Sequence, residues 1–219
     1  MEQEYKWILP ADISFADAAA MPIIAENCIN TEKIKMLASY YDTEDSLFRQ
    51  MHGSLRLRKE NEKSVCCMKL SLPTKDAAFA LRREYEVEAQ TLAEGIHLLP
   101  DCGDSPQESE QIKQICEKIS SSDLIEICCT DYTRMAYTLQ ITADTGKCTA
   151  ELAMDSGLFR NGNKSKAFAE LELEYKSGET AAFHAYAKQL ADTLSLTPQP
   201  LSKMARAAAL KFDETEENT

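Results

Sequence analysis

The sequence predicts an α+β protein whose antiparallel strands close into a barrel with a charged interior and helices packed outside. Several segments alternate apolar and charged residues at every second position, which is the side-chain period of a β-strand. Each of these segments keeps its charges on one face, and many keep a single sign along that face. A closed barrel gives the charged faces a common interior and also removes the exposed edges of the sheet.

Composition limits the class of protein further. The chain has 219 residues, which fits one domain, and we expect that domain over residues 1–211 with an acidic, disordered tail at 212–219. Hydrophobic residues make up 44% and charged residues 27%, so a substantial core is possible. The net charge of −12 argues against a nucleic acid polymer as partner, because such binding needs a dominant basic face. A small anion in a local basic pocket is compatible with it.

The eight cysteines are expected to be reduced thiols that pack as small apolar residues. Two adjacent pairs, Cys66-Cys67 and Cys128-Cys129, fall in predicted strands, where neighbouring residues point to opposite faces. No CxxC pair occurs, so a zinc site is not expected. We find no signal-peptide pattern and no long apolar stretch, and therefore expect a cytoplasmic protein without a membrane partner.

The opening segment predicts a strand with charges at alternate positions. Glu2, Glu4 and Lys6 share one face, and Tyr5 and Trp7 share the other. Taken alone, this pattern is also typical of an exposed edge strand that carries protective charges. The recurrence of the pattern along the chain favours an inward-facing strand.

The remaining elements follow from periodicity and turn residues. Further strands are expected over 33–43, 55–58, 63–72, 81–89, 124–141 (one or two strands), 148–155 and 168–175. Helices are expected over 12–27, with Ser14 as N-cap and an interruption at Pro22, and over 45–51, 91–99, 107–119, 179–194 and 201–211. Hairpin turns are expected at Glu60-Asn61-Glu62, at Asp144-Thr145-Gly146-Lys147 and at Asn161-Gly162-Asn163.

The charged faces of the strands are either acidic or basic. The acidic faces are Glu2/Glu4, Glu84/Glu86/Glu88, Glu151/Asp155 and Glu170/Glu172/Glu174, and the basic faces are Arg56/Arg58, Lys69 and Arg134. Arginine and lysine suit phosphate oxygens. Clustered carboxylates suit hard divalent cations such as Mg²⁺ or Mn²⁺. An interior with both sets fits a polyanionic phosphate chain together with its metal ion.

The ordered series of motifs resembles the CYTH superfamily, the triphosphate tunnel metalloenzymes. The resemblance rests on Glu2/Glu4/Lys6, Arg56/Arg58, Lys69, Arg83-Glu84-Tyr85-Glu86, Glu151 to Asp155, Glu170 to Glu174, and Ser202-Lys203-Met204-Ala205-Arg206. The ExExK motif alone is a weak signal, but the order of motifs from the first strand to the last helix is specific. The resemblance implies an eight-stranded antiparallel tunnel that binds triphosphate-containing small molecules with a divalent metal, and bacterial inorganic triphosphatases are the members most similar to it.

The resemblance also implies roles for individual residues. The expected ligands of Mg²⁺ or Mn²⁺ are Glu2, Glu4, Glu170, Glu172 and Asp155. The expected triphosphate-binding residues are Arg56, Arg58, Lys69, Arg134, Lys203 and Arg206. The expected catalytic residues are Glu4 with Glu84 or Glu86, which would orient a water or hold a second metal, and Lys6, which would contact substrate or offset carboxylate repulsion.

Inorganic triphosphate hydrolysis is the leading function, and several alternatives stay open. One is a class IV-type adenylyl cyclase, for which the sequence offers no evident adenine pocket. Others are a nucleoside or thiamine triphosphatase and a non-catalytic polyphosphate-binding module. A pure anion binder gains nothing from so many carboxylates, because like charges in one cavity are costly without a cation. A homodimer is compatible with the sequence.

Overall fold

A computed structural model describes residues 1–120 and 123–211; the predicted tail at 212–219 lies outside them. Eight antiparallel strands form a closed barrel, in the order β1-β5-β4-β3-β2-β6-β7-β8 and back to β1. They are β1 (Glu2–Ile8), β2 (Cys28–Thr43), β3 (Gly53–Glu60), β4 (Lys63–Leu72), β5 (Phe79–Glu88), β6 (Leu124–Ala143), β7 (Gly146–Asn161) and β8 (Lys164–Gly178). A short ninth strand, β9 (Thr197–Pro198), pairs with the end of β1. The predicted fold class is confirmed.

In the described part of the chain, seven α-helices lie outside the barrel wall. They are α1 (Phe15–Ala20), α2 (Pro22–Ala25), α3 (Leu47–Gln50), α4 (Leu92–Leu98), α5 (Pro106–Ser120), α6 (Thr180–Leu194) and α7 (Lys203–Ala209), and a 3₁₀ helix covers Leu99–Cys102. Ser14 caps α1 in a capping box with Asp17, and Pro22 begins α2, as predicted. No helix in the described part of the chain is both long and apolar enough to cross a membrane.

Three strands extend well beyond their predicted limits: β2, β7 and β8 have 16, 16 and 15 residues. The predicted range 124–141 belongs to one strand, β6, which ends two residues later. Residues 30–33 near the start of β2 are exposed and polar. They therefore show no alternation of apolar and polar residues from which a strand is predicted. The three predicted hairpin turns are present, and Asn61 and Gly162 adopt the positive φ that tight hairpins require.

The apolar faces of the strands point outward and are covered by helices. Helices α1, α2 and α6 pack on β1, β7 and β8 in one cluster that contains Trp7, Leu152 and Phe183. Helix α4, the 3₁₀ helix and α5 pack on β3–β5 in a second cluster around Met68 and Ile112. Because these helices bury the outer apolar faces of the strands, the charged faces are left to the barrel interior.

Helix α7 lies across one end of the barrel. Its Ala207 and Leu210 pack with Tyr132, Phe159 and Phe168, which share the inner face with the charged residues of β6, β7 and β8. This contact brings the first turn of α7, which contains Lys203 and Arg206, to the charged interior.

The adjacent cysteines separate across the barrel wall as predicted. Cys66 packs outside with Ile96, whereas the Cys67 thiol donates a hydrogen bond inside the barrel to Glu84 Oε1 at 3.3 Å. All eight cysteines of the sequence lie in the described residues, and all are free thiols. Burial raises the pKa of Cys67, so this interior thiol stays protonated.

Candidate active site

The barrel interior holds a cavity of about 1070 Å³ lined by the inner faces of all eight strands and by the start of α7. Of the described residues, ten acidic and ten basic ones line it. The acidic residues are Glu2, Glu4, Glu60, Asp76, Glu84, Glu86, Glu88, Glu151, Glu172 and Glu174, and the basic residues are Lys6, Arg49, Arg56, Arg58, Lys63, Lys69, Arg82, Arg134, Lys176 and Lys203. The cavity wall is thus formally neutral although the protein carries a net charge of −12.

The opening strand is one wall of this cavity and not an edge strand. It pairs with β5 on one side and with β8 on the other. Glu2, Glu4 and Lys6 are all less than 10% exposed. Glu2 Oε1 accepts a hydrogen bond from Lys69 Nζ at 2.7 Å, and Glu4 Oε1 accepts one from Arg82 Nη1 at 2.5 Å.

Glu4 has an unusual electrostatic environment. Burial raises its pKa, and the nearby carboxylates of Glu172 and Glu2 raise it further, against the opposing effect of Arg82. Burial likewise lowers the pKa of Lys6, whose Nζ lies 3.6 Å from Glu4 Oε1. Both pKa shifts favour the neutral forms of Glu4 and Lys6. Because the carboxylates of Glu172 and Glu2 contribute to the shift at Glu4, a divalent cation beside Glu4 would offset their negative charge.

A first set of ion pairs, which we call the Arg56 group, consists of Arg56, Arg58, Lys69, Glu84 and Glu86 from β3, β4 and β5. Arg56 Nη2 lies 3.6 Å from Glu84 Oε1 and 3.4 Å from Glu86 Oε1. Arg58 Nη2 donates to Glu86 at 3.2 Å, and Lys69 Nζ lies 2.8 Å from Glu84. The Nε atoms of both arginines are buried without a hydrogen-bond partner.

The charges of the Arg56 group stabilise one another. Burial alone would raise the pKa of Glu86, but Arg58 and Arg56 outweigh it and lower that pKa to about 2. The Glu86 side chain is nevertheless 38% exposed. The group therefore faces the open part of the cavity with its arginine donors only partly satisfied.

A second set, the Lys203 group, is more deeply buried. It consists of Asp155, Glu170, Glu172, Arg134, Lys203 and Arg206 from β6, β7, β8 and α7. Arg134 forms a bidentate pair with Asp155 at 2.8 and 2.7 Å and also donates to Glu172 at 2.7 Å. Lys203 Nζ lies 2.8 Å from both Asp155 and Glu172 and also contacts Glu170, which pairs with Arg206 as well.

Burial makes the Lys203 group tightly coupled. Asp155 and Glu170 are fully buried. Burial would raise the pKa of Glu172, but Lys203 and Arg134 hold it well below its usual range. Burial would lower the pKa of Lys203, but Asp155 and Glu170 outweigh that effect and raise it. The Lys203 ammonium thus occupies the space among three carboxylates.

The predicted site residues all face the interior, but they fall into separate groups. Within the described residues, two sets of potential metal ligands have donor atoms within 4.8 Å of one another: Asp155, Glu170 and Glu172, and Cys67, Glu84 and Glu86. Glu2 and Glu4 belong to neither set; they lie between them, beside Arg82. The predicted metal ligands are therefore divided between a largely buried set, of which only Glu172 also lines the cavity, and Glu2 and Glu4 on the cavity wall.

Arg82 is the main site residue that was not predicted. It pairs with both Glu2 and Glu4 and faces the cavity, whereas Arg83 points outward and pairs with Glu108 at 2.9 Å. The signal was present in the sequence, because Arg82 shares the even parity of Glu84 and Glu86 on one strand. Glu174 and Lys176, which pair with each other at 2.8 Å, also line the cavity.

The closed barrel and its charge-lined cavity define the class of protein: a β-barrel whose interior presents acidic and basic side chains in equal number among the described residues. The chain belongs to the CYTH family, whose CYTH domain model matches residues 1–208. The predicted family is therefore confirmed.

Two solved structures share the fold. HpAC1 from Hippeastrum, a candidate adenylyl cyclase with a dominant triphosphatase activity, is 15% identical with a TM-score of 0.56; the match covers 98% of this chain and 97% of that one. The PH1819 protein of Pyrococcus horikoshii OT3 is 16% identical with a TM-score of 0.54, over 94% of this chain and 97% of that one. At these identities the two structures show the fold alone.

Proposed function

We propose that this protein is a divalent-metal-dependent triphosphatase that hydrolyses inorganic triphosphate inside the barrel. The observation that carries the proposal is the convergence of basic side chains on one cavity that also presents carboxylates. Six of the ten basic lining residues carry this argument; they come from β3, β4, β5, β6 and α7 and are Arg56, Arg58, Lys69, Arg82, Arg134 and Lys203. Phosphoryl transfer depends chiefly on positioning and charge neutralisation, and this arrangement supplies both.

The Arg56 group is suited to hold phosphate oxygens. The Nε atoms of Arg56 and Arg58 are buried donors without a partner. A buried, unsatisfied donor is costly, so an incoming phosphate oxygen would satisfy what the protein leaves open. Lys69 extends the same basic face toward Glu2, and Lys203, Arg134 and Arg206 form the corresponding basic set on the other side.

The carboxylates fit Mg²⁺ or Mn²⁺ by their donor chemistry. Hard divalent cations prefer carboxylate oxygens, and Glu4 is crowded by Glu172 and Glu2 in a way that a cation would relieve. We assign Glu2, Glu4 and Glu172, which line the cavity, as the accessible ligands; Asp155 and Glu170 would join them where Lys203 is displaced. The bound metal would neutralise charge on the triphosphate and polarise its phosphoryl oxygens.

Glu4 is the better of the expected residues for orienting the attacking water, because its carboxylate lies close to the other accessible metal ligands, Glu172 and Glu2. Glu86 is paired with Arg58 and Arg56, which lower its pKa to about 2 and make it a weak base. Glu86 and Glu84 then act on Arg56, Arg58 and Lys69 and keep these side chains in place for the substrate. Lys6, 3.6 Å from Glu4, offsets the negative charge beside it.

A panel of substrates tests the proposal. Purified protein is incubated with triphosphate, ATP, GTP, thiamine triphosphate and long-chain polyphosphate, each with Mg²⁺ or Mn²⁺, and phosphate release is measured. We expect triphosphate to be the best substrate and release to stop when the metal is chelated. Cyclic AMP and pyrophosphate from ATP would instead identify a cyclase. Tight, metal-independent binding without turnover would identify a polyphosphate-binding module.

Two substitutions connect the activity to this site. Glu4→Gln and Lys69→Ala should each abolish most phosphate release while the folded structure is retained, as judged by circular dichroism. Arg83→Ala, next to Arg82 but on the outer face, is the matched control and should keep wild-type rates. Full activity in both interior variants would contradict the assigned site. The free thiols lead us to propose a cytoplasmic location, which fractionation of the native host would check.

A further inference from the structure

Every glutamate that lines the cavity already has a basic partner within 4 Å in the protein itself. Glu2 pairs with Lys69 and Arg82, and Glu4 with Arg82 and Lys6. The other seven are paired in the same way. With ten acidic and ten basic lining residues, the cavity without ligands is balanced in total charge, and its nine lining glutamates are paired one by one; the tenth acidic residue, Asp76, accepts a hydrogen bond from the backbone N–H of Ala78.

This balance has opposite consequences for the two ligands. A divalent cation that binds alone must take carboxylates from their partners, and it leaves arginine and lysine side chains unpaired in a partly buried cavity. A triphosphate that binds alone must take the basic side chains and leave the carboxylates unpaired. An unpaired buried charge is strongly unfavourable, so each ligand alone binds weakly.

We infer that the cavity recognises the metal–triphosphate complex through an exchange of ion-pair partners, and that metal and triphosphate increase each other's affinity. When both are present, the carboxylates released by the basic residues bind the metal, and the released basic residues bind the phosphate oxygens. No charge is left without a partner. Free triphosphate and free metal are both poor ligands in this account.

Arg82 and Glu86 contribute most directly to the charge balance of the cavity, because each pairs with two of the side chains that would bind a ligand. Arg82 contacts Glu2 and Glu4, the accessible metal ligands, at 3.5 and 2.5 Å. Glu86 contacts Arg56 and Arg58 at 3.4 and 3.2 Å. Removing the charge of Arg82 frees carboxylates for a metal, and removing the charge of Glu86 frees arginines for an anion. Each substitution therefore improves the binding of one ligand alone.

Isothermal titration calorimetry tests the exchange without turnover. The probes are MgCl₂ and a triphosphate analogue in which NH replaces both bridging oxygens, with complex formation between them in solution taken into account. For the wild type we expect Mg²⁺ to raise the affinity for the analogue by about 10- to 100-fold, and the analogue to raise the Mg²⁺ affinity by the same factor, because coupling is reciprocal. Equal affinities with and without the other ligand would overturn the inference.

Three variants sharpen the measurement. Arg82→Gln should raise the affinity for Mg²⁺ alone by about tenfold, and Glu86→Gln should raise the affinity for the analogue alone by about tenfold, since each changes the cavity by one charge. Arg83→Gln, the outward neighbour of Arg82, should change neither. Unchanged single-ligand affinities in both interior variants would overturn the inference. Glu86 is partly exposed, so its variant is expected to fold even if Arg82→Gln does not.

The exchange takes triphosphate and a divalent metal as ligands and therefore rests on the proposed function, but different results contradict the two proposals. Reciprocal coupling without phosphate release would contradict the proposed hydrolase activity and support the exchange of ion-pair partners. Phosphate release by a protein that binds Mg²⁺ equally well with and without the analogue would support the hydrolase activity and contradict the exchange.

Discussion

The Lys203 group and the Arg56 group are built from the same side-chain types, yet they differ in burial and in saturation. In the Lys203 group, Asp155 and Glu170 are fully buried and three basic side chains form ion pairs with all three carboxylates. Glu170 Oε1 contacts Lys203 but accepts no hydrogen bond. In the Arg56 group, Glu86 is 38% exposed and two arginine Nε atoms lack partners. The difference indicates that the two groups have different roles. The first group holds α7 and β6–β8 together, and the second is open to exchange with a ligand.

Loss of Lys203 should have the largest effect on stability. Lys203→Met leaves Asp155, Glu170 and Glu172 without their shared partner in a buried position. Removing one member of a buried ion pair costs about 3–5 kcal/mol, so we expect the midpoint of thermal unfolding to fall by roughly 6–20 °C. Differential scanning calorimetry measures the shift.

Lys188→Met is the control for this experiment, because Lys188 is an exposed lysine on α6. It should change stability by less than about 0.5 kcal/mol. The double variant Lys203→Met/Glu170→Gln should recover part of the loss, since Lys203→Met leaves three carboxylates with only Arg134 and Arg206, and Glu170→Gln removes one of the three. Equal unfolding temperatures for Lys203→Met and Lys188→Met would show that the Lys203 group does not hold α7.

In the Arg56 group, the main effect should be on substrate binding. Arg56→Met leaves Glu84 with Lys69 and Glu86 with Arg58, so the stability cost should be less than half that of Lys203→Met. The lost hydrogen bonds to a charged ligand are each worth about 1.5–3 kcal/mol. We therefore expect KM for triphosphate to rise by roughly 10- to 100-fold. Steady-state kinetics measures the effect on KM, and calorimetry measures the effect on stability. A large fall in stability with unchanged KM would show that the Arg56 group stabilises the fold and does not bind the substrate.

The pH dependence of stability gives a smaller effect from the same group. The pKa of Glu86 is about 2 in the folded protein and 4.5 as its ordinary value. A lowered carboxyl pKa stabilises the folded state above pH 4.5, and this contribution is lost as the pH falls toward 2. Because the side chain is partly exposed, we expect only about 1 kcal/mol.

Urea unfolding at pH 6 and pH 3 compares the wild type with Glu86→Gln. The wild type should lose about 1 kcal/mol more than the variant on acidification. Parallel losses in the two proteins would show that Arg56 and Arg58 do not stabilise the Glu86 carboxylate.

The ion pair at the rim of the cavity should contribute least. Lys63 and Glu88 lie 2.5 Å apart, but their side chains are 53% and 71% exposed. Exposed pairs contribute about 0–1 kcal/mol. Glu88→Gln should therefore shift the unfolding free energy by less than about 0.5 kcal/mol, with kcat/KM nearly unchanged. A large loss of activity would extend the Arg56 group to the rim.

Much of this site could be predicted because strand parity determines which side chains share a face. The alternation of Glu2, Glu4 and Lys6 with Tyr5 and Trp7 predicted an inward charged face only together with its recurrence in other strands, and the structure confirms that face. Parity does not determine which strand lies beside which. The pairing of Arg134 with Asp155, and of Asp155 with Glu170, depends on the register of β6, β7 and β8.

Strand parity could not place Lys203, because this residue lies on a helix, and only the family resemblance assigned it to the site. Its helix was predicted over 201–211, but only the packing of Ala207 and Leu210 against Phe159 and Phe168 turns Lys203 toward the carboxylates. Arg82 shows a milder limit. Arg82 shares the face of Glu84 and Glu86, and Arg83 shares the outer face with Tyr85, where it pairs with Glu108. The parity of Arg82 was therefore readable from the sequence, but its pairing with Glu2 and Glu4 depends on the closure of β5 onto β1.

Phosphorus NMR of the reaction with inorganic triphosphate tests the central claim most directly. Wild-type protein with Mg²⁺ or Mn²⁺ should convert triphosphate to equal amounts of pyrophosphate and orthophosphate, and Glu4→Gln should leave the triphosphate signals unchanged over the same period. Persistent triphosphate signals in the wild-type sample with either metal, from protein that binds the NH-bridged analogue, would contradict the assignment of this tunnel as a triphosphatase site.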